Sequence, residues 1–198
     1  HDLNRDNLPA FVAAVKGLRV ADPALETTHM GPLVNRGHRD SVERYVQLGR
    51  DEGGRILCGG ARPQGGYYDQ GSYYLPTVIE GLPNTARMCR EEIFGPVLAL
   101  LPWSDEADLI AQCNDNDYGL ASGIWTRDYK AAWRIGQALQ TGTVWINTYK
   151  LFSVSTPFGG VKLSGTGREK GRQGILEYTT QKSFYWGMND APMPWALS

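Results

Sequence analysis

A chain of 198 residues with 41% hydrophobic content is long enough to bury a substantial core, and its length fits one domain or one and a fraction. Its formal charge of -1, from 20 basic and 21 acidic residues spread without long runs, leaves no electrostatic footprint for nucleic acid or an anionic membrane surface. No run of about 18 apolar residues reads as a membrane span, and Cys58, Cys89 and Cys113 form neither a metal pattern nor an even disulfide set, so a cytoplasmic protein without a metal is expected.

The opening residues 1–6 lack the apolar core of a signal peptide, and a chain that begins at His1 rather than Met is expected to be a processed or partial polypeptide. Residues 8–18 repeat apolar side chains at three and four positions behind Asn7, with Pro9 in the first turn, which predicts a helix. A loop through Met30-Gly31-Pro32 leads to a second predicted helix at residues 38–52. Residues 55–58 read as a short buried strand ended by Gly59-Gly60. After a Gly- and Tyr-rich excursion, residues 75–80 are expected to form an edge or bulged strand, because Pro76 cannot donate to a ladder.

Residues 97–101 form a continuous apolar run of strand length, and residues 105–114 have helical periodicity. A strand at 122–126 follows, then a helix capped by Asp128 and running to about Leu139, then a strand at 143–147. Strands that are apolar rather than alternating, separated by helices, predict an α/β fold with an open, largely parallel sheet and helices on both faces. Ligands of such sheets collect in loops beyond the strand C-terminal ends. Residues 183–188 are aromatic and short, an unpaired edge unless they fold back on their own sheet or meet another chain. The expected division is 1–180 as the main domain and 181–198 as a tail.

Two stretches carry the chemistry: Glu91-Glu92-Ile93-Phe94-Gly95-Pro96-Val97 and Pro157-Phe158-Gly159-Gly160-Val161-Lys162-Leu163-Ser164-Gly165-Thr166-Gly167-Arg168-Glu169. Each sets an acid and an aromatic beside glycines, the mixture needed where backbone must approach a flat, hydroxyl-bearing ligand. A carboxylate accepts from two neighbouring hydroxyls at once, which makes Glu92 a candidate ribose ligand, and Phe94, two residues on in an extended loop, shares its face. The competing possibility is that Glu92 caps a helix and Phe94 is core. His29 and His38 lack a companion at metal-binding spacing and are expected at loop or surface positions.

In their order and approximate spacing the two motifs resemble those near the C-terminal end of aldehyde dehydrogenases, and the resemblance runs through nearly all of the chain. It implies that Glu92 holds the nicotinamide ribose of NAD or NADP with Phe94 beside the ring, and that Phe152 and Phe158 belong to the aromatic wall of the aldehyde tunnel. It also implies that Glu169 lies buried near the catalytic base, with a raised pKa suited to relaying protons; the alternative is that Arg168 and Glu169 only anchor the Gly-rich turn and cap the next helix. Asn147 is expected to bond the loop holding Phe152.

The nucleophilic cysteine, the general base and the dinucleotide-binding half of such enzymes have no counterpart here. Cys89, between Arg87 and Arg90, lacks the Gly-Gln-x-Cys setting, and Cys58 and Cys113 read as small buried hydrophobes. The resemblance thus implies the C-terminal fragment of an NAD(P)-dependent aldehyde dehydrogenase that forms a carboxylic acid through a Cys thioester. The chain alone would be inactive, and the tail would join a homodimer or homotetramer. A non-catalytic oligomerisation or interaction module derived from the same fold is the alternative.

Overall fold

The computed structural model describes residues 7–188 and 190, and the chain divides into two units, His1–Asn116 and Asp117–Ser198. In the first unit, helix α1 (Leu8–Lys16) begins with Pro in its first turn, where a missing N–H costs nothing. Helix α2 (Arg36–Asp51) starts at Asn35, whose side-chain oxygen accepts from the His38 N–H at 2.8 Å. Strands β1 (Arg55–Cys58) and β2 (Thr77–Glu80) precede the short helix α3 (Arg87–Arg90), strand β3 (Val97–Leu100) and helix α4 (Glu106–Asn114). The Asp105 carboxylate caps α4 by accepting from the Asp108 N–H at 2.9 Å.

These strands form one mixed sheet in the order β1-β2-β3, antiparallel on one side of β2 and parallel on the other. So β2 is the central strand rather than an edge. Pro76 does not disturb it, because the ladder begins one residue later at Thr77, and the register shift lies in β1, between Ile56 and Cys58. Apolar side chains from α2, β2, α3 and the segments on either side of β2 fill two clusters, one of Ile79, Leu82, Ala86 and Met88, the other of Val42, Val46 and Tyr74. Ile93 packs against both.

The second unit contains β4 (Tyr118–Gly119), β5 (Ala121–Ile124), helix α5 (Tyr129–Ala138), β6 (Thr143–Ile146), β7 (Val161–Lys162) and helix α6 (Gly171–Leu176). The Asp128 carboxylate caps α5 by accepting from the N–H groups of Lys130 and Ala131. Strands β5 and β6 pair in parallel across α5, and β4 pairs with β7 antiparallel. The described residues therefore carry three small sheets, not the single open, largely parallel sheet expected. An apolar run reports how much of a strand is covered, whereas lateral order is set by long-range register that no local pattern contains.

Residues 181–188 form no strand, and Phe184, Tyr185, Trp186 and Met188 are exposed. The remainder of the expected tail, 189 and 191–198, lies outside the described residues, as do residues 1–6. Among the described residues no helix is long and apolar enough to cross a membrane, and no cluster of His, Cys, Asp or Glu could hold a metal ion.

Candidate functional site

Between α3 and β3 the chain passes through Glu91, Glu92, Ile93, Phe94, Gly95 and Pro96, and alternate residues are anchored. The Tyr45 hydroxyl donates to Glu91 Oε2 at 2.8 Å, and Arg87 donates to the same carboxylate through Nε at 2.6 Å and Nη2 at 3.1 Å. The Arg87 guanidinium, and after it the Tyr45 hydroxyl, hold the Glu91 carboxyl below its ordinary range. Ile93 is pinned between the two core clusters. At Gly95 an added Cβ would stand 2.5 Å from Val42 Cγ2, so glycine is what lets the loop press onto α2.

The loop has a further tether. His38 Nε2 donates to the Phe94 carbonyl at 2.8 Å, and the two rings meet edge-on with centroids 6.1 Å apart. Phe94 has φ 52°, in the left-handed region that a side chain normally avoids. The residue is 81% exposed, so it is not a core residue. Glu92 is also exposed, and it makes no hydrogen bond or ion pair with any described residue. Of the two adjacent glutamates, Glu91 is the structural one, and Glu92 presents a free carboxylate from a rigidly held loop. That carboxylate can accept two vicinal hydroxyls, and the exposed ring of Phe94 can cover a flat heterocycle, although the backbone at Phe94 is not the extended one expected to set the two side chains on one face.

In the second unit the aromatic cluster is built on Trp145 of β6, buried with its Nε1 donating to the Leu151 carbonyl at 2.9 Å. Phe152 packs edge-on against it at 5.5 Å between centroids, Phe158 stacks on it at 6.4 Å, and the two phenylalanines meet each other at 5.1 Å. Both expected tunnel residues are thus in one cluster, organised by a tryptophan that the motifs did not single out. Phe158 and Glu169 exchange backbone hydrogen bonds in both directions at 2.8 Å, closing the Gly-rich segment into a hairpin-like loop. Arg168 Nη1 ties that loop by donating to the carbonyls of Gly160 at 2.8 Å and Gly167 at 2.6 Å. A groove of about 470 Å³ beside it is lined by Phe158, Thr166, Arg168, Glu169, Glu177 and Tyr178.

Glu169 is exposed at this groove rather than buried, because its backbone is used in the bridge to Phe158 while its side chain is left free. It does not cap α6 either, since the residue at that position is Lys170, which makes no capping bond. Asn147 bonds the Thr126 backbone, accepting from its N–H and donating to its carbonyl at 2.9 Å each, rather than the loop of Phe152. Its φ of 53° turns the chain at the end of β6.

Neither Cys89 nor Cys113 offers an activated thiol. Cys89 is half-buried, and burial, with Glu52 adding to it, pushes its thiol up against the weaker opposing pull of Arg90. The flanking arginines are engaged elsewhere, Arg87 with Glu91 and Arg90 with Asp115 and the Asn84 carbonyl. Cys58 is buried as expected, whereas Cys113 is exposed, because α4 buries none of its residues. His38 was expected at a loop or surface position, whereas it lies in the first turn of α2 and anchors the loop of Phe94.

The fold and these two motif-bearing loops are of the aldehyde dehydrogenase class: the aldehyde dehydrogenase family matches residues 2–184, and the chain belongs to it. It is 41% identical over 185 residues to a betaine aldehyde dehydrogenase of Brucella anthropi, covering 93% of this chain and 38% of that protein. With a betaine aldehyde dehydrogenase of Cereibacter sphaeroides it shares 43% over 178 residues, covering 90% of this chain and 36% of that one. A double mutant of betaine aldehyde dehydrogenase from Staphylococcus aureus, solved with NAD+, superposes with a TM-score of 0.90 at 34% identity, over 95% of this chain and 38% of its own. An aldehyde dehydrogenase of Mycobacterium tuberculosis complexed with NAD+ gives 0.85 at 42% identity, over 93% and 38%. The chain therefore spans little more than a third of the length of the relatives it matches.

Proposed function

We propose that this chain is the C-terminal part of an NAD(P)-dependent aldehyde dehydrogenase, supplying the ribose clamp and an aromatic substrate wall to a longer polypeptide. The observation that carries the proposal is the division of labour between Glu91 and Glu92: one carboxylate is bonded on two sides, while its neighbour is free on the same anchored loop. Glu92 would accept from the two hydroxyls of the nicotinamide ribose, and Phe94 would pack beside the ring. A bound dinucleotide would supply the hydride acceptor, and NAD is favoured by the NAD+ complexes of the solved relatives.

The reaction would run through thiolate attack on an aldehyde and hydrolysis of the resulting thioester to a carboxylic acid. The thiol would come from the part of the polypeptide outside this chain, since burial pushes the Cys89 and Cys113 thiols up and Cys58 is buried. Phe152 and Phe158 would exclude water from the reacting carbonyl. Glu169, free at the edge of the groove, would relay protons once a second carboxylate lies beside it. By itself the 198-residue chain would not oxidise aldehydes.

The exposed Phe184, Tyr185, Trp186 and Met188 support pairing of this segment with a second copy, in a dimer or tetramer. The same exposure is what favours a purely interacting module. Free thiols at all three cysteines suit a cytoplasmic setting.

Single-turnover kinetics of the full-length enzyme test the ribose clamp. Glu92→Gln removes a charge-assisted hydrogen bond of about 1.5–3 kcal/mol, so hydride transfer should slow roughly tenfold to a hundredfold with the thermal midpoint unchanged. An unaltered hydride step would remove Glu92 from the cofactor site. A full-length polypeptide that binds partners and oxidises no aldehyde would favour the module.

A further inference from the structure

Two lysines stand over the aromatic cluster of the second unit. Lys170 Nζ lies 4.0 Å from the centroid of the Phe152 ring, and Lys150 Nζ lies 5.7 Å from that of Tyr149, itself packed on Trp145. Both lysines have left-handed backbone, at φ 61° and 55°, a conformation that strains any residue bearing a side chain and that glycine would adopt freely.

Lys170 is clamped at both of its neighbours. The Glu169 N–H donates to the Phe158 carbonyl at 2.8 Å, and the Gly171 N–H donates to the Val154 carbonyl at 2.9 Å. Its backbone therefore cannot shift relative to the loop that bears Phe152. The face of an aromatic ring attracts a cation, and here the cation is the chain's own ammonium. A quaternary ammonium arriving at that face would have to displace Lys170 and would meet its repulsion. The tip of the loop adds no negative charge: Ser153 and Ser155 bond each other through their hydroxyls at 2.8 Å. Glu169 and Glu177 are the acidic side chains of the adjoining groove, and the relay assigned to Glu169 above would leave it beside the reacting centre.

We propose that Lys170, seated on Phe152 and backed by Lys150, selects aldehydes by the charge of their tails, favouring those with a carboxylate and disfavouring cationic ones. This selection rests on the aldehyde dehydrogenase function proposed above. It separates the chain from the substrate class for which its matched relatives are named, since betaine aldehyde carries a trimethylammonium group. Two unit charges about 6 Å apart in a partly wet site, with an effective dielectric of roughly 20 to 80, interact strongly enough to change kcat/KM about tenfold.

The test measures kcat/KM of the full-length enzyme with saturating NAD for three aldehydes of similar size: a four-carbon semialdehyde bearing a carboxylate, butanal, and betaine aldehyde. Each value is expressed relative to butanal for the same variant. The wild type should prefer the anionic aldehyde to the cationic one, and Lys170→Gln should reduce that ratio about a hundredfold, roughly tenfold from each aldehyde. Lys170→Arg should preserve it, and raising the salt concentration should shrink it in the wild type but not in Lys170→Gln. A ratio unmoved by Lys170→Gln, or a wild type that prefers betaine aldehyde, would overturn charge selection while leaving the dehydrogenase function intact. Failure to oxidise any of the three aldehydes would overturn the dehydrogenase function itself.

Discussion

Gly95 is the position where packing and the proposed cofactor loop are most tightly joined. In Gly95→Ala the new methyl would stand 2.5 Å from Val42 Cγ2 and 3.1 Å from Cγ1, well inside the 3.4 Å at which ordinary contact begins. Val42 cannot yield, because it is fully buried and its branched side chain is stiff within α2. The loop must instead move outward by about 1 Å to restore normal contact. Overpacking of this kind costs about 1–3 kcal/mol, and a displacement of about 1 Å in a positioning element can slow a chemical step roughly a hundredfold. Urea unfolding should therefore show the stability loss, and single-turnover hydride transfer in the full-length enzyme should show the larger kinetic one. Val42→Ala in the same background should recover much of both, with a coupling energy of about 1 kcal/mol or more in a double-mutant cycle. A Gly95→Ala enzyme that transfers hydride at the wild-type rate would refute the claim that α2 sets the height of the Glu92–Phe94 loop.

Two stability predictions concern the same unit. Because Arg87 and Tyr45 depress the Glu91 carboxyl in the folded state, its contribution is present at neutral pH and is lost as pH falls through that lowered value. The difference in thermal midpoint between wild type and Glu91→Gln should be full at neutral pH and close in acid, and a gap that widened on acidification would contradict the assignment. Tyr74 is fully buried with a hydroxyl that meets no partner among the described residues, so Tyr74→Phe should raise stability by about 1 kcal/mol in urea titration. A loss on that substitution would show that the hydroxyl is satisfied.

Much of the secondary structure was legible because its signals are short-range. Asp128 caps α5 as its position before apolar periodicity required, α4 fills the periodic segment behind Asp105, and β1 ends at Cys58, just before Gly59-Gly60. Strand neighbours were not legible. Thr77 pairs with Val97 across a connection holding α3, and nothing in either run states that β2 will be central. The cofactor motif gave its residue types but not their roles, because one of the two partners that hold Glu91 and not Glu92, Tyr45, lies 46 positions earlier on α2. Phe152 and Phe158 gave no sign of meeting on Trp145, and the seat of Lys170 over Phe152 had no sequence signal at all.

By itself the sequence determined the longer helices and strands, the family and the two motifs, since each follows from neighbours within a few turns of chain. Only the tertiary structure decided which glutamate is left free, what holds Phe94 outward and where a lysine meets an aromatic ring. Those outcomes depend on contacts between segments far apart along the chain, and long-range packing, not local preference, chooses among them.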